Sequence, residues 1–184
     1  IDVELTQGDR TAVRAAITTK TRLLIINTPH NPAGAVLTAT DIEELIAIVK
    51  GTDLVIVSDE VYEHIIFDGV QHESMARHPE LAQRSFVVGS FGKTYHTTGW
   101  KMGYAVAPAD LTVEFRKVHQ FVTFSTITPV QYALADFLSA RRGLKELSPF
   151  FQRKRDLFLK LMEGSRFRPL KSRGSYFQLM DYSA

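Results

Sequence analysis

The chain has 184 residues, 45% hydrophobic and 23% charged, a balance that suits a globular protein with a sizeable core and argues against disorder. Its formal net charge is only +2, with 22 Lys and Arg scattered among 20 Asp and Glu, so neither nucleic acid nor an anionic membrane is expected as a partner. The lack of cysteine excludes disulfide scaffolds, cysteine zinc sites and thiol nucleophiles, and no apolar run is long enough for a membrane span. A reducing, cytoplasmic setting is compatible with this composition. The first residue is Ile1 and the first pattern is strand-like, from which a longer parent chain is expected.

In chain order, Ile1 to Leu5 reads as a strand, and Asp9 as the cap of a short helix reaching Ile17, with Val13 and Ile17 on one face. Leu23 to Ile26 is a continuous apolar run, the pattern of a strand buried on both sides of a parallel sheet. It ends at Asn27-Thr-Pro-His-Asn-Pro-Ala-Gly34, which continues neither strand nor helix. Thr38 or Thr40 then caps an amphipathic helix carrying Ile42, Leu45, Ile46 and Val49, which Gly51 terminates. A second buried strand, Leu54 to Val57, leads into Ser58-Asp-Glu-Val-Tyr62. A polar stretch from Asp68 to Arg84 precedes a third strand, Phe86 to Gly89.

Beyond it, Tyr104 to Ala107 reads as one more strand, followed by helices at about Leu111 to Thr123, Pro129 to Ala140 and Ser148 to Glu163. Phe115, Val118 and Val122 mark a core-facing stripe on the first of these. Tyr176-Phe177-Gln178-Leu179-Met180 alternates as a strand does. Strands alternating with helices predict an α/β fold with a mostly parallel sheet. In such sheets ligands sit beyond the carboxyl ends of the strands. There the chain places Asn31 after the first strand, Asp59 and Tyr62 after the second, and Ser90 and Lys93 after the third.

An amine at a sheet edge beside a carboxylate, a phenol and an amide suits either a phosphate anchor or a covalent nucleophile. Gly92-Lys93-Thr94 matches the end of a phosphate-loop pattern, but the glycine required five positions before Gly92 is valine, Val87. The covalent reading fits better: a lysine condenses with an aldehyde cofactor such as pyridoxal phosphate. That cofactor needs an anion at its ring nitrogen, donors at its phenolic oxygen, and hydroxyls with a cation at its phosphate. Singly, each of these residues also has a structural reading: Asp59 and Glu60 as a loop start, Tyr62 as core, Lys93 as a solvated turn residue. Their shared position at successive strand ends is what favours the functional one.

The motifs Asn27-Thr-Pro-His-Asn-Pro-Ala-Gly34, Ser58-Asp-Glu-Val-Tyr62 and Ser90-Phe-Gly-Lys-Thr-Tyr-His-Thr-Thr-Gly-Trp-Lys101 resemble those of fold-type I pyridoxal-phosphate aminotransferases of the class I/II group. Within it, Val118-His-Gln120 and Gly174-Ser-Tyr-Phe177 are most similar to bacterial methionine aminotransferases and kynurenine/glutamine transaminases. The resemblance implies that Lys93 is the residue that condenses with the cofactor and then shuttles a proton from the substrate α-carbon. It implies that Asp59 pairs with the ring nitrogen and that Tyr62 and Asn31 hydrogen-bond the phenolic oxygen. Ser90 and Lys101 would hold the phosphate, Lys101 as a point charge where many relatives carry arginine. Asn27 would shape the loop near the ring, and the Asn31-Pro32 bond is expected to be cis.

The same resemblance implies transamination between a hydrophobic, sulfur-containing or aromatic L-amino acid and a 2-oxo acid, in a homodimer. A carbon–sulfur β-lyase and a non-catalytic pyridoxal-phosphate regulator domain are the alternatives. Residues 1–146 would form the cofactor-binding large domain, and 147–184 a linking helix and the start of a smaller domain. Family members being about twice this length, the carboxylate-gripping arginine and the ring-stacking aromatic are expected outside the chain, which alone would have little activity. No metal is expected, since His30, His64, His72, His78, His96 and His119 show no ligand spacing and read mostly as surface or loop residues. His96 is a minor candidate for lining the site. Arg153, Lys154 and Arg155 read as a solvated helix face, and Phe121, Phe124, Phe150 and Phe151 as core or interface packing.

Overall fold

The computed structural model describes residues 10–140 and 144–182. The expected strand at Ile1 to Leu5 and the Asp9 cap lie outside them. The elements run α1 (Arg10–Ala16), β1 (Leu23–Asn27), α2 (Ala39–Val49), β2 (Val55–Asp59), α3 (Pro79–Ala82), β3 (Ser85–Ser90), α4 (Phe91–Thr94) and β4 (Gly103–Val106). They continue with α5 (Ala109–Val122), α6 (Thr128–Ser139), α7 (Leu147–Leu161), β5 (Arg168–Pro169) and β6 (Met180–Asp181). The main sheet has the order β1-β2-β3-β4, its first three strands parallel and β4 antiparallel. This is the mostly parallel α/β sheet that the strand–helix alternation predicts.

Helix α2 forms because Thr38 closes its N-terminus. The Thr38 hydroxyl accepts from the Asp41 N–H, and the Asp41 carboxylate accepts from the Thr38 N–H at 2.7 Å, a capping box that satisfies two end donors. Its apolar stripe, Ile42, Leu45 and Val49, joins Ile26, Ile56, Val87, Leu54, Met75 and Leu81 in one buried cluster. Two of these come from the stretch read as merely polar. Between Asp68 and Arg84 a 3-10 turn at Met75–Arg77 and the short α3 each bury one large residue completely, Met75 and Leu81.

Only one face of β1 is covered. Ile26 is buried and Leu24 packs against the cluster, whereas Leu23 and Ile25 on the opposite face are exposed, so the expectation of burial on both sides does not hold. Helix α5 departs in the same way: Phe115, Val118 and Val122 are exposed, although Phe86 of β3 does meet the Phe115 ring at 5.9 Å. Phe121 and Phe124 are almost fully exposed as well.

A second cluster joins the loop after β2 to the later chain: Tyr62, Ile65, Phe67 and Leu147, with Val61, Phe151 and Phe177 against it. Helix α7 is pinned there by polar contacts too. Ser148 donates to the Ile66 carbonyl, the Asp68 N–H donates to Gln152 at 3.0 Å, and Arg155 grips Asp68 through both of its terminal nitrogens. The Arg155 guanidinium also lies 4.7 Å from the Phe67 ring centre, so this residue is part of the docking face and not of a solvated one.

The alternating run Tyr176 to Met180 is not a strand; only Met180–Asp181 pairs, with Arg168–Pro169. The cause is upstream. The N–H groups of Arg173 and Gly174 both donate to the Gly34 carbonyl and that of Ser175 to the Ile65 carbonyl, while Phe67 donates to Arg173. Those bonds dock a turn, with Ser175 at φ 61°, onto the loops after β1 and β2. A side chain at Gly34 would overlap Ser172, and one at Gly174 would meet Pro29, so both contacts need glycine.

Candidate active site

The carboxyl ends of the three parallel strands lie level. Asn27 ends β1 opposite Asp59, which ends β2, and Asp59 is in turn opposite Val88, two residues before Ser90. Because parallel partners share a face, the Asn27, Asp59, Val88 and Ser90 side chains point to the face left open beside Leu23 and Ile25. Buried Ser58 points the other way, toward the covered face.

Asn27 holds two loops together. Its amide nitrogen donates to the Asp59 carbonyl at 3.0 Å, and its amide oxygen accepts from the Asn31 N–H at 2.7 Å. The loop it shapes contains two cis bonds, Asn31-Pro32, as expected, and also Thr28-Pro29. Asp59 is half-buried, and among the described residues no cation lies within ion-pair distance of it. Burial pushes its carboxyl above the usual range; the Val61 N–H and the charge of Lys93 pull it back, while Glu60 adds to the rise. A carboxylate held this way gains from a cationic partner on the open face.

Tyr62 is buried, and the Lys93 ammonium lies 5.9 Å from its ring centre. Its hydroxyl donates to that of Tyr176 at 3.4 Å, and the rings meet edge to face at 5.1 Å. Burial first, then the Tyr176 hydroxyl and the charge of Asp59, hold the Tyr62 phenol well above its ordinary value, so it stays a proton donor at neutral pH. Lys93 sits in the single turn α4, which Ser90 opens by accepting from the Lys93 N–H. Lys101 takes the left-handed conformation at φ 55° two residues before Gly103, the partner of Ser90, which puts it at the same sheet edge.

The structure thus brings Asp59, Tyr62, Ser90 and Lys93 together at one edge. Asn31 and Lys101 reach that edge through the backbone, but both are exposed and their side chains make no hydrogen bond or ion pair among the described residues. His96 packs against Phe151 and Phe150 at 5.9 and 6.4 Å, facing α7.

Some supporting residues escaped the sequence. Glu60 is buried beneath the site and fully hydrogen-bonded by the Ser58 hydroxyl, His72 Nε2 at 2.8 Å and the Met75 N–H. His72 is therefore not a loop histidine in solvent. Glu60, Glu63 and His72 present ligand atoms within 4.8 Å of one another, but these atoms are already engaged, Glu60 with His72 and Glu63 with the Tyr104 hydroxyl. Tyr176 carried a signal, since Gly174-Ser-Tyr-Phe177 stands out as a motif, but nothing in its spacing connects it to Tyr62.

Among the described residues no helix is long and apolar enough to cross a membrane. The chain is 48% identical over 171 residues to methionine aminotransferase of Escherichia coli and 38% identical over 175 residues to kynurenine–oxoglutarate transaminase of Dictyostelium discoideum. Each match covers 92% of this chain but only 44% and 40% of the relative, so the chain spans less than half the length of these curated relatives. The structure of YbdL from Escherichia coli, reported with a methionine aminotransferase function, superposes with a TM-score of 0.93 at 46% identity, covering 96% of this chain and 47% of that one. N-succinyldiaminopimelate aminotransferase from Mycobacterium tuberculosis follows with a TM-score of 0.87 at 36% identity, covering 91% and 44%. The family model for aminotransferase class I and II matches residues 2–184, and the chain belongs to that family.

Proposed function

We propose that the protein transfers an amino group between a hydrophobic, sulfur-containing or aromatic L-amino acid and a 2-oxo acid, with pyridoxal phosphate as cofactor. Members of the family use that cofactor. The observation that carries the reading is Lys93 beside the buried Tyr62 phenol, with the half-buried Asp59, which has no cation within ion-pair distance among the described residues, on the same open edge. This donor set fits the cofactor's chemistry: an amine for its aldehyde, an anion for its ring nitrogen, a phenol for its phenolic oxygen, and a hydroxyl and a cation for its phosphate. The 48% identity to a methionine aminotransferase supports the substrate class.

When bound, the cofactor supplies an electron sink that makes the substrate's α-proton acidic. Lys93 would hold the cofactor through its aldehyde, and its Nζ would take the proton from the substrate α-carbon. Asp59 keeps a proton on the ring nitrogen, an interaction that offsets the strain of a half-buried carboxylate. Tyr62 and Asn31 donate to the phenolic oxygen, Tyr62 with a phenol that burial keeps protonated. Ser90 and Lys101 would hold the phosphate, through a hydroxyl and a cation.

Residues 1–146 serve as the cofactor-binding domain and 147–184 as the linking helix and the beginning of a smaller one. The protein works in the cytoplasm as a homodimer; the exposed apolar side chains of α5, Phe115, Val118, Phe121 and Val122, suit such burial. The test is the visible absorption of the full-length protein with pyridoxal phosphate, followed by amino-acid analysis of products from methionine and a 2-oxo acid. A visible band that Lys93→Ala abolishes, with formation of a new amino acid, is expected. An unchanged band in the variant removes Lys93 from its role.

A further inference from the structure

Tyr104 stands on β4, one strand beyond the three that carry the site, and touches two of the segments that hold site residues. Its hydroxyl donates to Glu63 Oε1 at 2.6 Å, the length of a charge-assisted bond, and Glu63 follows Tyr62 directly. Its ring meets that of Phe91, in the Lys93 turn, at 5.2 Å, and Phe91 stacks in turn on Tyr95 at 6.3 Å. To reach Glu63 from β4 the side chain must cross β3, and it does so over Gly89, its cross-strand partner. A methyl group at position 89 would overlap the Tyr104 ring, so the glycine is the space through which the contact passes.

From this geometry we infer that Tyr104 is a positioning residue that sets the Tyr62 loop against the Lys93 turn, with Glu63 as its anchor and Gly89 as its passage. The Glu60 N–H donates to the Val88 carbonyl and ties the carboxyl ends of β2 and β3 where the loops diverge. Beyond that tie, Tyr104 adds a side-chain link between the two loops, through one hydrogen bond and one ring contact, beside the approach of Lys93 to the Tyr62 ring. Burial, then the bond to Glu63 and the neighbouring negative charge, hold its phenol protonated and therefore donating. The functional consequence rests on the roles proposed above for Tyr62 and Lys93; the positioning itself does not.

The test uses the full-length protein with Tyr104→Phe, Glu63→Ala, Glu63→Gln and the double variant Tyr104→Phe/Glu63→Ala. Tyr104→Phe keeps the ring on Phe91 and removes only the bond, while Glu63→Gln keeps a carbonyl acceptor. Amide deuterium exchange of the cofactor-free protein is read in residues 61–66 and 91–97, with α2 as the internal control. Tyr104→Phe and Glu63→Ala are expected to raise exchange in both segments and leave α2 as in wild type. With the cofactor added, both should weaken its retention by about threefold to tenfold and move the pH at which its visible band changes. Glu63→Gln should recover most of the loss, and the double variant should lose no more than either single one. If wild type forms no visible band, the cofactor reading falls and the exchange comparison alone decides the positioning role. If wild type does form the band, unchanged exchange in either segment, or unchanged cofactor retention and band titration in Tyr104→Phe, overturns the inference.

Discussion

Helices α2 and α5 carry the same kind of apolar stripe and meet opposite fates. The stripe of α2 is buried to within 4% exposure, whereas Val118 and Val122 on α5 are 63% and 78% exposed. The difference lies in what lies across from each. Helix α2 faces a sheet surface of Ile26, Ile56 and Val87, completed by Met75 and Leu81. Helix α5 meets β3 through the Phe115 ring and leaves Val113, Val118, Phe121 and Val122 exposed. An amphipathic pattern states that a helix needs a cover; it does not state which residues provide one.

The strongest way to break the contrast is from beneath the covered side. Glu60→Ala leaves His72, Ser58 and the Met75 N–H without their shared acceptor and should lower unfolding free energy by about 3–5 kcal/mol in denaturant titration. The pH dependence has a definite sign. Burial alone would raise the Glu60 carboxyl, but the bonds from His72 and the Met75 N–H, with the charge of His72, outweigh it and hold it below 4.5. A depressed folded value contributes stability fully above pH 4.5 and loses it as pH falls through that lower value. Glu60→Gln should flatten the stability curve in that acid window, and an unchanged slope would show that Glu60 does not drive it.

Leu45→Ala, a cavity in the middle of the α2 contact, should cost about 3 kcal/mol by the same titration. Thr38→Ala removes half of the capping box and should cost about 1 kcal/mol. Phe121→Ala on α5 should change stability by no more than about 0.5 kcal/mol in the 184-residue chain. A cost of several kcal/mol for that change in the full-length protein would sharpen the contrast, because it would mean that a partner surface covers α5 there.

The same logic decides how much was legible in the sequence. Asp59, Tyr62, Ser90 and Lys93 were readable because the short apolar runs before them fix strand ends, and parallel strands bring those ends to one edge. Strands β1 to β4 were found to within two residues at each end. Met75 and Leu81 were not readable as core, since a 3-10 turn and a four-residue helix each bury one residue and leave no periodicity to detect. The Tyr176 alternation was misleading because the docking bonds to Gly34 and Ile65, far away in sequence, bend the chain where local pattern alone would extend it. Asn31 and Lys101 stand at the right edge by position, and their assigned roles rest on family resemblance, not on contacts.

The turn at Ser172 to Ser175 has a consequence for anyone cutting this chain into parts. A transplantable piece bearing the strand-end residues cannot stop after α6, although every candidate site residue precedes that point. Ending it there would strip the donors from the Gly34 and Ile65 carbonyls and the acceptor from the Phe67 N–H, and would remove the ring that Tyr62 meets. The smallest self-consistent module, in the sense a builder would use, therefore runs at least through Phe177, and its natural seam in space does not coincide with any seam along the sequence.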